Sequence, residues 1–286
     1  DHRDLHSFPT RRSSDLVITA VIWSTSGFGI KWVDWNPMAI AGTRSGIAAI
    51  VIWAAFRQST LHWNRPMVYG GVAYAIMMLT FVVANKLTTA ANAILLQYTS
   101  PIYVAVLSAL FLQEKPRFYD WLTIGFVGGG IILFFQDQMT AGSFVGNVLA
   151  IASGISMAIM IVFMRMQKEG SPFGSVLVGN ILTCLCGLPF FFEGGPGVNG
   201  WVVLFLLGSI QTGMSYVLYS LAIKRVSALE AAIITVIEPI LNPIWVFLLV
   251  GEGPGSWALM GGIIILLAIT ARCVLPALNL PRTAQS

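Results

Sequence analysis

Long apolar runs separated by short polar breaks fill the chain from residue 17 to residue 275. Crossing the roughly 30 Å hydrocarbon core of a bilayer takes about 20 apolar residues in a helix, and most of these runs have that length. The pattern predicts ten membrane-spanning helices, which we number as spans 1 to 10: 17–33, 37–56, 66–85, 88–112, 118–136, 144–166, 172–192, 201–222, 226–250 and 256–275. Because the loops are short, we expect an all-α polytopic membrane protein with no inserted soluble domain.

Two of the spans share a pattern that indicates an internal duplication. Without gaps, the segment from Pro101 to Pro116 aligns with the segment from Pro239 to Pro254, which lies 138 residues later. Apolar matches are common between membrane segments, but a shared frame of Pro, Glu and Pro is not. We therefore interpret residues 17–136 and 144–275 as two five-helix repeats.

The two ends of the chain differ from this pattern. Residues 1–16 are polar and charged and resemble sequencing-adaptor read-through, so we interpret them as a non-native leader. The apolar run that follows ends at Ile30 and covers only about 21 Å as a helix, which predicts that part of span 1 is missing. Residues 276–286 are interpreted as a polar tail.

Positive residues are distributed unevenly between the two sides of the predicted bundle. One side, which includes the tail, holds ten of them: Arg57, Arg65, Lys115, Arg117, Arg165, Lys168, Lys224, Arg225, Arg272 and Arg282. The other side holds only Lys31 and Lys86. The positive-inside rule then predicts that both termini are cytoplasmic in a multi-pass protein of the inner cell membrane. Since each repeat has five spans, the two repeats must be inverted.

Composition supports a membrane protein and argues against nucleic-acid binding. Hydrophobic residues make up 56% of the chain and charged residues 10%, whereas soluble domains carry about 25% charged residues. The net charge of +4 arises from positive residues in short loops, without a basic stripe. No metal-ligand spacing or nucleotide-binding motif occurs, so we expect no cofactor, and the predicted partners are the lipid bilayer and a small-molecule substrate.

Few clear ionisable residues lie within the predicted spans away from the outermost residues: Arg44 in span 2, and Glu230 and Glu238 in span 9. A charge at bilayer depth costs at least about 2.5 kcal/mol, so it usually faces a cavity or a partner. Glu230 lies near the basic end of its span, where snorkelling accounts for it. Glu238 and Arg44 are expected at similar depths, about 18 and 20 Å from the inner face, so an Arg44–Glu238 pair is sterically plausible.

Glu238, Asn242 and Trp245 follow i, i+4, i+7 spacing, which places them on one face of span 9. The matching positions of span 4 are Ser100, Val104 and Leu107, so the polar stripe belongs to the second repeat alone. Two interpretations stay open: one wall of a substrate cavity, or a structural ion pair with aromatic packing.

Pro101 and Pro239 fall in the middle of spans 4 and 9, where each removes a backbone hydrogen bond. At membrane depth the freed carbonyl must be satisfied by protein or by a water-filled cavity. Both prolines are therefore candidate hinges at the repeat interface, with a simple packing kink as the alternative. Tyr98, beside Pro101, adds a hydrogen-bonding group that could instead join helices.

These residues resemble the EamA-like family of the drug/metabolite transporter superfamily over residues 17–275. The resemblance rests on the ten spans with inverted repeats and on these residues: Trp23 with Lys31, Arg44, the Pro101 to Pro116 frame, and Glu238-Pro239 with Glu252. It implies a carrier that works by alternating access around a central cavity, in a family that often exports amino acids or related metabolites. The candidate substrate-binding or coupling residues are Glu238, Arg44, Trp23, Tyr98, Asn242 and Trp245.

The sequence thus predicts a secondary-active exporter of small polar metabolites such as amino acids, with spans 4 and 9 lining its site. A channel or a receptor-like membrane protein is the main alternative. An intramembrane serine protease is disfavoured because it needs a buried histidine, and His2, His6 and His62 all lie outside the predicted spans. Glu238 also suits proton coupling, which stays open.

Overall fold

The computed structural model describes residues 9–59, 61, 63–111, 118–136, 141–167, 173–222 and 236–278. All regular elements in these ranges are helical, which confirms the all-α prediction. The helices are α1 (Pro9–Ser24), α2 (Ser26–Trp32), α3 (Pro37–Phe56), α4 (Arg65–Leu87), α5 (Ala90–Gln97), α6 (Ser100–Phe111), α7 (Phe118–Phe134), α8 (Ala141–Met166), α9 (Phe173–Gly187), α10 (Gly197–Leu206), α11 (Ser215–Ala222), α12 (Ile237–Val250) and α13 (Ser256–Leu278), with a 3₁₀ turn at Leu188–Phe190 and a π-helical segment at Leu207–Met214.

In the part of the chain that the structure describes, six helical stretches are long and apolar enough to cross a bilayer: Pro37–Phe56, Arg65–Leu87, Ala90–Phe111, Ala141–Met166, Phe173–Phe190 and Gly197–Tyr219. Shorter apolar helices cover Trp121–Phe134, Ile237–Val250 and Ser256–Ala271. Large apolar side chains such as Trp53, Phe126 and Leu248 are exposed on the outside of the bundle. Water would disfavour so much exposed apolar surface, whereas lipid tails accommodate it, so the chain is a multi-pass membrane protein.

Helix starts follow the capping chemistry in the sequence. Asn36 and Asn64 accept hydrogen bonds from the backbone N–H groups of Met38 and Met67, each at 2.8 Å, and a proline follows each asparagine within two residues. Thr89 caps α5 in the same way at 3.1 Å. These side chains satisfy N–H groups that a helix start leaves without partners, and the prolines need no such bond.

The observed helices refine the predicted spans in three places. Span 2 coincides with α3, but span 1 is divided into α1 and α2 at Thr25, and α1 already begins at Pro9, inside the segment interpreted as a leader. Span 4 is interrupted between α5 and α6. Span 8 contains the π-helical segment between α10 and α11. The sequence did not predict the turn at Thr25 or the π-helical segment, although span 8 is helical without a gap from Gly197 to Tyr219.

The helices pack as a bundle in which the interrupted spans meet. Helix α4 packs along α8 and α9, α3 packs along α9 and the π-helical segment, and α7 packs along α13. Helix α12 packs against α1, α2 and α5, so it adjoins the interruptions of both span 1 and span 4. Small residues line these contacts, as is usual for helix packing in membranes.

Several predictions concern residues outside the described ranges. They include Glu230 and the first part of span 9, Glu114 and its neighbouring positive residues, most of the segment joining the repeats, the histidines, and the tail from residue 279 onward.

Candidate functional site

A buried hydrogen bond joins the interruption of span 4 to the beginning of α12. The hydroxyl of Tyr98, between α5 and α6, donates to a carboxylate oxygen of Glu238 at 2.7 Å. Both side chains are buried, with 8% of Tyr98 and 9% of Glu238 exposed. Glu238 lies in the first turn of α12, where the helix dipole favours a negative charge. Among the described residues, the carboxylate thus has one donor, and it has further capacity to accept hydrogen bonds.

Asn242 and Trp245 face span 1 rather than span 4. The Asn242 amide donates to Ser26 Oγ at 3.2 Å, and the Trp245 indole donates to Ser24 Oγ at 3.0 Å. Both serines border Thr25, where span 1 is interrupted. The polar stripe predicted on one face of span 9 therefore divides: Glu238 bonds to span 4, and the other two side chains hold α12 against the interruption of span 1.

The interruption near Pro101 is stabilised by close packing of α8. Pro101 is the second residue of α6, and it cannot donate to the Gln97 carbonyl one turn earlier. A Cβ atom added to Gly154 of α8 would lie 2.8 Å from that carbonyl oxygen, so only glycine lets the two backbones approach this closely. The Gln97 side chain donates to Ser153 Oγ at 2.7 Å. Protein therefore encloses the freed carbonyl.

Pro239 has a similar position in the first turn of α12, where a proline needs no backbone donor. The residues that precede this turn lie largely outside the described ranges. Pro243 is a further proline inside α12, and its aligned position in span 4 is Ala105. The duplicated helices therefore differ in backbone chemistry, and the hinge role of Pro101 and Pro239 stays a prediction.

Arg44 does not pair with Glu238. Within the described residues, the one guanidinium hydrogen bond joins Arg44 Nη2 to the Met78 sulfur at 3.1 Å, and Nε and Nη1 have no acceptor. The side chain is 2% exposed. The pair is absent because α3 directs Arg44 toward α4 and α11, while Glu238 bonds to Tyr98 on another helix. Equal depth in the bilayer was not sufficient evidence for contact.

Four aromatic side chains surround the region next to Arg44, and we call them the aromatic cluster: Trp23, Tyr74, Tyr216 and Tyr219. The Trp23 ring lies 5.1 Å from Tyr216 and 5.2 Å from Tyr219, and Tyr74 meets Tyr216 edge-on at 5.4 Å, measured between ring centroids. Arg44 lies within electrostatic range of Tyr74 and Tyr216, and Glu238 lies within range of Tyr216. Tyr216 is therefore near both charges.

The π-helical segment helps to place Arg44. A Cβ atom on Gly208 would lie 2.8 Å from the Arg44 carbonyl oxygen, so the π-helical segment and α3 touch through their backbones at this point. π-helical turns inside α-helices are rare and frequently occur at functional sites. Sequence reasoning did not single out Tyr74, Tyr216 or Tyr219 as site residues, and it did not predict the π-helical turn. The spacing of Tyr216 and Tyr219, one turn apart, was the one available signal.

A second cluster of polar groups lies at the end of the bundle that holds Lys31, and we call it the Lys31 end. It consists of the side chains of Lys31 and Glu252 and the backbone of Thr88 and Ala90. Lys31 forms an ion pair with Glu252 at 2.7 Å and donates to the Thr88 carbonyl at 2.8 Å. The other oxygen of Glu252 accepts from the Ala90 backbone N–H at 2.7 Å. These bonds join span 1, the beginning of span 4 and the residues after α12. The sequence marked Lys31 and Glu252 separately but did not predict that they meet.

Comparison with known proteins agrees with a membrane transporter. The EamA-like transporter family matches the chain twice, over residues 16–136 and 144–271. An uncharacterized transporter of Archaeoglobus fulgidus is 25% identical over 89% of this chain and 93% of its own length. The pseudopaline exporter CntI of Pseudomonas aeruginosa is 27% identical over 80% of this chain and 83% of its own, and the threonine/homoserine exporter RhtA of Escherichia coli is 22% identical over 74% of each.

A solved crystal structure shares the fold, with a TM-score of 0.68 and 18% sequence identity over 95% of this chain and 99% of that chain. The apolar helical bundle and these matches define a membrane transporter and not an enzyme. More specifically, the chain belongs to the EamA-like transporter family, within the drug/metabolite transporter superfamily.

Proposed function

We propose that the protein is a secondary-active exporter of small polar metabolites such as amino acids, and that it works by alternating access around a central cavity beside spans 4 and 9. The observation on which this rests is the buried Tyr98–Glu238 bond, which joins the interruption of span 4 to α12. Many secondary carriers form the substrate site where a transmembrane helix is discontinuous, as span 4 is at Tyr98.

Ten spans arranged as two inverted repeats, 17–136 and 144–275, are part of this proposal. The two consecutive family matches support the division. The packing supports it as well, because two strong contacts recur when corresponding spans are exchanged: span 3 packs on span 6 as span 8 packs on span 1, and span 4 packs on span 6 as span 9 packs on span 1. Such an exchange is expected of a pseudo-two-fold axis.

The proposed orientation has both termini in the cytoplasm of a cell with the protein in its inner membrane, as the positive-inside count predicts. A cysteine at Gln58, exposed after α3, should then be protected from an impermeant thiol reagent in intact cells, whereas one at Val198, exposed at the start of α10, should be labelled. The native Cys184, Cys186 and Cys273 are replaced first so that only the new thiol reacts. Labelling at Gln58 but not at Val198 would reverse the orientation.

Transport is tested with the purified full chain in liposomes preloaded with one unlabelled L-amino acid, for each common amino acid in turn. A carrier exchanges the matching labelled amino acid from outside, and the exchange saturates and depends on the internal substrate. Empty liposomes and the heat-denatured protein serve as controls. Flux that does not saturate and ignores the internal solute would favour a channel, and absence of flux for all of the panel would contradict the proposal.

Proton coupling is tested in the same liposomes by imposing a pH gradient without a metabolite gradient. If Glu238 exchanges a proton during transport, the gradient alone should drive labelled substrate against its concentration, and Glu238→Gln should abolish this while leaving exchange measurable. An unchanged response in Glu238→Gln would exclude Glu238 as the coupling group.

A further inference from the structure

Arg44 and Trp23, two side chains near Tyr216, have buried hydrogen-bond donors without partners among the described residues. Among the described residues, Arg44 Nε, Arg44 Nη1 and Trp23 Nε1 are buried and lack an acceptor. Arg44 is within electrostatic range of Tyr216, and the Trp23 ring contacts it. Buried donors are nearly always satisfied in native proteins, so two neighbouring side chains with three free donor atoms need an explanation.

Packing alone does not satisfy the Arg44 guanidinium. Its one hydrogen-bond partner in the described part of the chain is the Met78 sulfur, which is a weak acceptor, and the carboxylates there lie more than 4 Å away. The rings of Tyr74 and Tyr216 offer their faces or hydroxyls but no negative charge. A guanidinium presents five N–H donors in a planar fork, and this fork matches the two oxygens of a carboxylate.

Glu238 offers the complementary chemistry near the same tyrosine. One of its oxygens accepts from Tyr98, and a carboxylate has capacity for several more donors. Glu238 lies on α12, which packs against α1, the helix that carries Trp23. It is within electrostatic range of Tyr216, as Arg44 is. An acceptor-rich group and a donor-rich group are thus both near Tyr216, an arrangement suited to a small molecule that has both charges.

We infer that Arg44 and the Trp23 indole bind the carboxylate of the transported molecule, with its ammonium directed toward Glu238. The inference rests on the proposed function and names its substrate class: a zwitterionic α-amino acid or a close derivative, in which both charged groups are required. The bound carboxylate supplies the acceptors that Arg44 and Trp23 lack. The aromatic cluster then excludes water around the ion pair and strengthens it.

The wild-type protein tests this without any substitution. The labelled amino acid that exchanges fastest in the liposome assay is competed with the unlabelled acid, with its carboxamide, and with the amine that lacks the carboxyl group. The amide keeps the size and the ammonium but not the negative charge. We expect the amide and the amine to compete at least about tenfold more weakly than the acid, because each loses charge-assisted hydrogen bonds. Equal competition by the amide overturns the inference.

Variants of Arg44 and Trp23 test which side chains cause the preference for the acid over the amide. Arg44→Gln should remove the preference for the acid over the amide, Arg44→Lys should keep part of it, and Trp23→Phe should reduce it while preserving the ring contact with Tyr216. Arg57→Gln is the matched control, because it removes an equal charge from the exposed end of α3 and should leave the preference unchanged. If the Arg44 variants do not fold, Trp23→Phe and the wild-type competition still decide.

The outcomes separate this inference from the proposed function. Saturable exchange with equal competition by acid and amide leaves a transporter whose Arg44 is structural, and the carboxylate site is wrong. Arg44→Gln with an unchanged preference leads to the same conclusion. Exchange of none of the amino acids by the wild type contradicts the proposed function and the inference together.

Discussion

The Lys31 end and the centre of the bundle both hold charged residues, but the fold satisfies them to very different degrees. At the Lys31 end, the ammonium has a carboxylate and a carbonyl, and Glu252 also accepts from a backbone N–H. At the centre, within the described part of the chain, Arg44 has only a sulfur atom as a partner, and Glu238 has only the Tyr98 hydroxyl. Both side chains of the Lys31 pair remain partly exposed, whereas Arg44 and Glu238 are buried. The charges with fewer hydrogen-bond partners are therefore the ones whose burial costs more free energy.

This difference indicates two different roles for charge in one protein. A pair that is fully bonded within the protein stabilises one arrangement of helices. A charge left without a partner lowers the stability of the empty protein and gives a ligand something to satisfy. Under alternating access, the Lys31 end must separate and re-form, while the centre must bind and release the substrate. The predictions below test that division.

The largest expected effect comes from preventing the Lys31 end from opening. Cysteines in place of Lys31 and Glu252, joined by a short bifunctional thiol reagent, should stop substrate exchange almost completely. The three native cysteines are replaced beforehand, and the same double variant without reagent is the control. Exchange at the wild-type rate after confirmed cross-linking would show that this end does not move during transport.

The next largest effect distinguishes the role of Glu238 from that of Glu252. Glu238→Gln should lower exchange by roughly 10- to 150-fold, the value of one charge-assisted hydrogen bond, because the ammonium of the substrate loses its counter-charge. Stability should change by about 1 kcal/mol or less, since glutamine can still accept from Tyr98. Liposome exchange and thermal unfolding measure the two quantities.

Glu252→Gln should show the opposite pattern, with a loss of about 1 to 3 kcal/mol of stability and a smaller loss of exchange. It removes the charge that both Lys31 and the Ala90 N–H use. If Glu238→Gln proves the less stable of the two variants, the centre is a structural network after all. In a structural Arg44–Glu238 pair, removal of Glu238 alone would strand a buried Arg44 at a cost of about 3 to 5 kcal/mol, but the structure removes that argument because the two are not paired.

The sequence predicted the elements better than the contacts between them. Apolar run length sets where a helix can cross a bilayer, so span 2 and α3 agree at both ends. The interruption at Tyr98 was foreseen because proline removes a specific hydrogen bond. The interruption at Thr25 was not, since Ser24, Thr25 and Ser26 are also compatible with a helix, and the break appears only where α12 bonds to Ser24 and Ser26.

Residues of the site were found when their chemistry was unusual for a membrane. Arg44 and Glu238 stood out because charge is costly there, but the partner of each depends on how helices rotate, which the sequence pattern does not specify. Tyr74 and Tyr219 did not stand out, because single tyrosines are common in apolar segments. The aromatic cluster emerges only when spans 1, 3 and 8 meet.

A smaller effect is expected where α8 packs on the interruption of span 4. Gly154→Ala should destabilise the protein by about 1 to 3 kcal/mol, since its Cβ would press on the Gln97 carbonyl at 2.8 Å and force the helices apart. Gly125→Ala is the control, because nothing lies within 4 Å of its added Cβ, and alanine favours a helix by up to about 1 kcal/mol. Equal stability of the two variants would mean that α8 does not hold the interruption in place.

The smallest effect concerns the contact between α12 and span 1. Ser24→Ala removes the acceptor of the Trp245 indole, and Ser26→Ala removes that of the Asn242 amide. Each should cost about 0.5 to 1.5 kcal/mol of stability, the net value of a neutral hydrogen bond. Asn242 is 0% exposed whereas Trp245 is only partly buried, so Ser26→Ala should cost more than Ser24→Ala by leaving a donor that water cannot reach. Thermal unfolding of both variants checks the order, and Ser209→Ala, which alters an exposed serine bonded within its own helix, gives the baseline. The reverse order would mean that the indole, and not the amide, fixes α12 against the interruption of span 1.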